Sequence, residues 1–137
     1  MSEENKALAR KFLQMFDLGD PGMADKIVAA DYYNHDAPDP NIGSDGVKAS
    51  VTMFKKAFPD AELKIAFQLA EGDKVTTRYQ WSGTHQGEIF GIPATGRQVN
   101  FTSTVTFRIA DGKIHEAWQN SDQWGAMQQL GVTPSPG

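Results

Sequence analysis

A chain of 137 residues with thirteen basic and seventeen acidic side chains, a net charge of −4 and no cysteine has the size of one domain with its own core, expected to span residues 1–137. Without cysteine there is no disulfide framework, thiolate nucleophile or sulfur-ligated metal, and the scattered Lys and Arg form no basic stripe for nucleic acid. No apolar run approaches the ~18 residues of a membrane span, and the opening MSEENKALARKF has the charge of a helix rather than of a signal peptide, so a cytoplasmic location is expected.

The first element is a helix over 3–17, where Ala7, Leu8, Phe12, Met15 and Phe16 recur at nearly 3.6-residue spacing. Ser2 is its expected cap, with Glu3 and Glu4 in the turn where the helix dipole favours them. Gly19-Asp20-Pro21 stops it. A short second helix over 22–29 turns Met23, Ile27 and Val28 inward. Residues 30–44 are polar and broken by Pro38 and Pro40, giving an extended piece from Tyr32 to His35 and then a loop. Ser44 is placed to cap a third helix over 45–57, with Val47, Val51, Phe54 and Ala57 on one side.

Beyond Phe58-Pro59-Asp60 the period changes to two. Leu63, Ile65, Phe67 and Leu69 form one face of a strand, and Glu71-Gly72-Asp73-Lys74 is a turn. Val75, Thr77, Tyr79 and Trp81 share a face of the next strand. Val99, Phe101, Ser103, Val105, Phe107 and Ile109 share a face of the strand over 98–109. Asp111-Gly112 is a hairpin turn, followed by a strand over 113–121 and a helical turn from Gln123 to Leu130. Three helices followed by an antiparallel meander give an α+β domain whose helices cover one face of a curved sheet. The opposite face of the 98–109 strand is mostly threonine, and a homodimer through that outer face is expected.

Four stretches carry a resemblance: DYYNHDAP at 31–38, GTHQGEIFGIPATGRQV at 83–99, RIADGKIHEAWQNSD at 108–122 and QQLGV at 128–132. With the order of elements over nearly the whole chain, they resemble the SnoaL-like polyketide cyclases of the NTF2-like superfamily. The resemblance implies a cone-shaped α+β barrel and closure of a polyketide ring by an intramolecular aldol step, with no cofactor and no metal. It also implies an acid/base aspartate at the end of the last long strand, which by motif position is Asp122, with histidines near the pocket mouth, for which His35 and His85 are the candidates. The superfamily hosts several chemistries and some proteins with none, so the fold alone does not fix the reaction.

The residues themselves leave two readings of Asp122. In a regular strand Trp118, Asn120 and Asp122 share a face. If that face looks into the cone, an acid, an amide and an indole converge in apolar surroundings that suit proton transfer. Alternatively Asp122 caps the last helical turn, since Asp is a preferred N-cap. His85 continues the inward set Tyr79, Trp81 and Gly83, where it would face the cavity, or else it bonds loop carbonyls. His35 opens a polar loop at the expected pocket rim. His115 falls out of phase with the 118–122 face and is left outside the site. Asp36, before Ala37-Pro38, faintly resembles the aspartate of ketosteroid isomerases, which would make this a proton shuttle. Arg78-Tyr79-Gln80 and Asn120 lack both acids that the limonene-type epoxide hydrolases of this superfamily use, which argues against epoxide hydrolysis by that mechanism. No two of the histidines have i, i+4 or H-x-H metal spacing.

Phe54, Phe67, Tyr79, Trp81 and Trp118 are the expected walls of a pocket for a small hydrophobic molecule. The glycine-rich connection 87–99 is expected to close its mouth, folding Phe90 and Ile92 inward above His85. The function expected is a cofactor-free cyclase or isomerase acting on a hydrophobic ketone; the alternative from another class is a binding domain without catalysis.

Overall fold

The computed structural model describes residues 2–37, 39, 42–89 and 91–131. Helix α1 (Ser2–Leu18) buries Ala9, Phe12, Leu13 and Met15 on one face. Ser2 is its first helical residue and not its cap. Gly19 then takes a positive φ, and Asp20 caps a single 3-10 turn (Pro21–Met23) by accepting the Gly22 N–H at 3.1 Å. The helix expected over 22–29 shrinks to one turn, α2 (Ala24–Ile27). Val28 and Ala29 leave it to open strand β1 (Val28–Asn34), where both are buried and Val28 pairs with Ile114. Helix α3 (Gly43–Ala57) begins from Ile42, with no side-chain cap, so Ser44 lies inside its first turn instead of capping it.

The meander follows the sequence reading closely in its ends. It comprises β2 (Glu62–Glu71), β3 (Lys74–Thr84), β4 (Gln98–Ala110) and β5 (Lys113–Ser121). Asp111 and Gly112 both have positive φ, as a two-residue hairpin turn requires. The sheet order is β1-β5-β4-β3-β2. Only β1, at the edge, runs parallel to its neighbour β5; the other pairings are antiparallel. Helices α1 and α3 pack on the inner face, and Phe12 lies 4.6 Å from the Phe107 ring between them. This is the α+β cone expected from the sequence. No helix among the described residues is long and apolar enough to cross a membrane.

Two single-residue bulges change which side chains face inward. Pairing jumps from Ile65↔Tyr79 to Phe67↔Arg78, leaving Ala66 as the extra residue of β2. It also jumps from Ile109↔Ile114 to Arg108↔Glu116, leaving His115 as the extra residue of β5. An inserted residue reverses the inside/outside alternation beyond it. Hence Phe67 and Leu69, expected inside, are 53% and 64% exposed. Gln68 turns inward instead, where it accepts from Arg10 at 2.7 Å and donates to the Lys6 carbonyl at 3.0 Å, tying α1 to the sheet.

Helix α4 (Gln123–Gln129) closes the described chain. Strand β5 ends at Ser121, opposite Ser103, so the start of β4 lacks a neighbour on that side. The Gln129 side-chain amide fills in: its Oε1 accepts the Asn100 N–H at 2.6 Å and its Nε2 donates to the Asn100 carbonyl at 2.7 Å. One side chain thus meets the backbone groups that a further strand residue would have met.

Candidate functional site

A cavity of about 220 Å³ lies between α1, α3 and the inner sheet face. Phe54, Tyr79 and Trp81 line it, as expected from their spacing. So do Phe12 and Phe16 of α1 and Phe101 and Phe107 of β4. The walls are mostly apolar, and four of the polar exceptions form two bonded pairs side by side. Gln119 Nε2 donates to Tyr79 Oη at 2.8 Å, and Ser103, paired with Tyr79 across the strands, donates its Oγ–H to Ser121 Oγ at 2.7 Å. Asn34 and Ser50 also line the cavity and bond elsewhere, Asn34 accepting the Asp36 N–H and Ser50 donating to the Gly46 carbonyl. Three adjacent strands therefore contribute hydrogen-bonded polar groups to the cavity wall. Burial pushes the Tyr79 phenol above its ordinary pKa, against the opposing pull of Ser103 and Gln119, so it stays protonated at neutral pH and keeps an O–H to donate.

Gln119 and Ser121 were not singled out from sequence, and the β5 bulge is the reason; Ser103, on regular β4, was placed on the inward face but given no role. Beyond His115 the inward set is Ala117, Gln119 and Ser121, paired opposite Phe107, Val105 and Ser103. Trp118 and Asn120 were expected in the cavity and instead face outward. Trp118 stacks on His35 with ring centroids 4.6 Å apart, and Asn120 is exposed. Ile114 and Ala117, three residues apart yet both fully buried, are the trace of the bulge in the sequence.

The three acid/base candidates do not converge. Asp122 is exposed and caps α4, its Oδ1 accepting the Gly125 N–H at 2.9 Å. The fit is close: a Cβ on residue 125 would lie 2.2 Å from Asp122 Oδ2, so a side chain there would push the carboxylate from its capping position. His35 is also exposed, its Nε2 2.8 Å from Glu116 Oε2, while Arg108 Nε bonds the other oxygen of Glu116. These two partners, His35 first, hold the Glu116 carboxyl below its ordinary pKa. His85 is fully buried behind the cavity wall. Its Nδ1 accepts the Thr95 N–H at 3.2 Å and lies 2.9 Å from Thr95 Oγ1, which puts the ring proton on Nε2. That Nε2 has no hydrogen-bond partner among the described residues. Asp36 is exposed and accepts the Gln119 backbone N–H at 2.6 Å. Among the described residues, no acid and no histidine lines the 220 Å³ cavity.

The glycine-rich connection does reach the cavity, through a residue not picked out in advance. Ile89 lines it, and a bridge between Ile89 and Ile92 folds the loop back on itself. Ile92 is partly buried against the core without lining the cavity. Phe90 lies outside the described residues. His85 anchors the loop from below: its N–H donates to the Arg97 carbonyl and its carbonyl accepts from Gly96. Gly87 sits so close to α3 that a Cβ there would fall 2.6 Å from the Lys56 carbonyl oxygen. Among the described residues no three His, Asp or Glu side chains are gathered as a metal ion requires.

Comparison with known proteins gives this geometry a context. The sequence pattern of the SnoaL-like polyketide cyclase family matches residues 6–130. The chain is 30% identical over 134 residues to the aklanonic acid methyl ester cyclase DnrD of Streptomyces peucetius, covering 94% of this chain and 92% of that one. It has the same identity to the aklanonic acid methyl ester cyclase DauD of Streptomyces sp. (strain C5), covering 83% of that chain. Among solved structures, TsrD from Streptomyces laurentii superposes with a TM-score of 0.89 at 29% identity, over 96% of this chain and 98% of that one.

Proposed function

This chain belongs to the SnoaL-like polyketide cyclase family, and from that premise we propose that it closes a ring on a hydrophobic, ketone-bearing small molecule by cofactor-free aldol chemistry. The observation that carries the reading is the apolar cavity with the bonded pairs Gln119–Tyr79 and Ser103–Ser121 in its wall. In this mechanism the Asp122 carboxylate takes a proton from the carbon next to a ketone. The enolate oxygen accepts from the Tyr79 O–H, a preorganised donor in a dry site. The enolate carbon attacks a second carbonyl of the same molecule, forming the carbon–carbon bond, and the new alkoxide takes the proton back from Asp122. No atom is gained or lost. Asp122 must leave the Gly125 N–H to act, and it sits next to Ser121, which lines the cavity.

The test uses aklanonic acid methyl ester as the probe substrate and exploits the two roles of Asp122. Asn caps helices as well as Asp does, so Asp122→Asn preserves α4 while removing the base. The expected result is an unchanged melting temperature and a rate lowered by about 10²–10⁴-fold, the usual weight of a positioned acid/base group. Full activity in that variant overturns the assignment. One observation favours a second reading, a binding domain without catalysis: Asp122 is exposed and engaged as a cap. Saturable binding of the probe with no turnover by the unaltered chain would establish it. A homodimer through the outer sheet face is also proposed, supported by the exposed Phe67 and Leu69 there.

A further inference from the structure

A second, smaller cavity of about 70 Å³ lies beneath α4. Ala126 of α4 and Leu130, its C-cap, form its roof, and Val99 and Phe101 of β4 its floor. It shares Ile89, Phe101 and Ser121 with the larger cavity, so the same three side chains form part of both walls. Its volume is about twice the ~30 Å³ that one water occupies in the liquid. An apolar void of this size stays dry, and its lining lacks the contacts that a filling group would supply. The roof is fixed in place: Gln129 holds α4 to β4 through both backbone groups of Asn100, and Ala126 and Leu130 are buried.

We propose that this chamber takes a short apolar branch of the ligand, two carbons long, and that Ala126 and Leu130 set the length accepted. The inference rests on the reading of the larger cavity as the site of a hydrophobic ketone. It makes α4 a specificity element in addition to the carrier of Asp122 at its cap. A branch seated there would pass the shared Ile89, so the glycine-rich connection would also feel the ligand.

The test is a homologous series of alkyl phenyl ketones, from acetophenone through propiophenone and butyrophenone to hexanophenone. Binding is followed by calorimetry and by the intrinsic tryptophan fluorescence, to which Trp81 in the wall of the larger cavity contributes. The expected affinity rises about fourfold for each of the two carbons added up to butyrophenone, the weight of a buried methylene, and gains nothing further with hexanophenone. In Ala126→Leu, and in the milder Ala126→Val, that gain disappears while acetophenone binds within twofold of the unaltered chain. Thermal melts of both variants confirm that they fold. If acetophenone binds but the gain with chain length is absent, or survives unchanged in both Ala126 variants, the side chamber is not part of the site. If no ketone of the series binds at all, the reading of the larger cavity fails together with this one.

Discussion

Strands β3 and β4 alternate without interruption, and strands β2 and β5 do not. On β3 and β4, every inward position from Val75 to Trp81 and from Val99 to Ile109 is where a period of two puts it. On β2 and β5 one extra residue, Ala66 or His115, reverses the alternation halfway along. The regular pair supplies much of the cavity wall, while the bulged pair decides what is added to it. The β5 bulge brings in Gln119 and Ser121 and sends Trp118 to stack on His35 outside. The β2 bulge brings in Gln68 to hold α1 and sends Phe67 and Leu69 to the outer face. In this fold the presence of Gln119 and Ser121 in the cavity depends on a single inserted residue.

Inserting one alanine between Glu116 and Ala117 is the sharpest way to break this contrast. The added residue would turn Trp118 and Asn120 into the core and put Ala117, Gln119 and Ser121 outside. The expected outcome is loss of the cooperative unfolding transition in a thermal or urea melt, since nearly every contact of the strand is exchanged at once. Deleting His115, the extra residue, keeps the inward set and should leave the transition cooperative; a melt of the insertion variant like that of the unaltered chain would mean that the count of residues in β5 does not set the alternation. A smaller effect is expected from the adjacent pair Gln119 and Asn120, which lie on opposite faces. Gln119→Leu keeps volume but removes the donor to Tyr79, and should lower stability by about 1–3 kcal/mol. It should also weaken a bound ketone by roughly tenfold, about one hydrogen bond. Asn120→Ala, on the exposed side, should change stability by less than about 0.5 kcal/mol. Equal effects from the two would erase the distinction between the faces.

The legible part of the molecule is the part governed by local rules. Helix periodicity, the Asp111-Gly112 turn and the ends of β5 follow from neighbours in sequence, and the structure reproduces them. Capping and burial compete at two places. Ser44 loses the cap of α3 to Ile42, and Val28 leaves a helix because pairing beside Ile114 buries it. The bulges are harder to read. In β2, Ile65-Ala66-Phe67 is apolar throughout, so hydrophobic pattern cannot say which residue is the extra one. In β5, Ile114 and Ala117 do mark the slip, but Ala is a weak signal beside Trp118, whose size drew the cavity toward the wrong face. For Asp122 both readings were open from sequence, and its carboxylate in fact holds Gly125. The main-chain turn after Ser121 decides where that carboxylate points, and side-chain alternation carries no information beyond the end of a strand.

The smallest effect on folding, and a sensitive test of the outer face, comes from Phe67 and Leu69. They stand beside Arg78 and Thr76 on β3, in a face where Thr76 bonds Thr106 and Arg78 donates to Thr104 at 3.1 Å. Such a surface pairs part of its polar groups within itself and leaves two large apolar side chains exposed, which suits contact with the same surface of a second copy related by a twofold axis. The unaltered chain should then sediment at twice its 15.0 kDa mass. Phe67→Ser with Leu69→Ser should sediment as a monomer while its intrinsic fold stability changes by about 0.5 kcal/mol or less per site, as expected for exposed positions. A monomer for the unaltered chain across micromolar concentrations would remove the dimer. A dimer that persists in the double variant would move the interface off this face, and the β2 bulge would then serve only to bring Gln68 under α1.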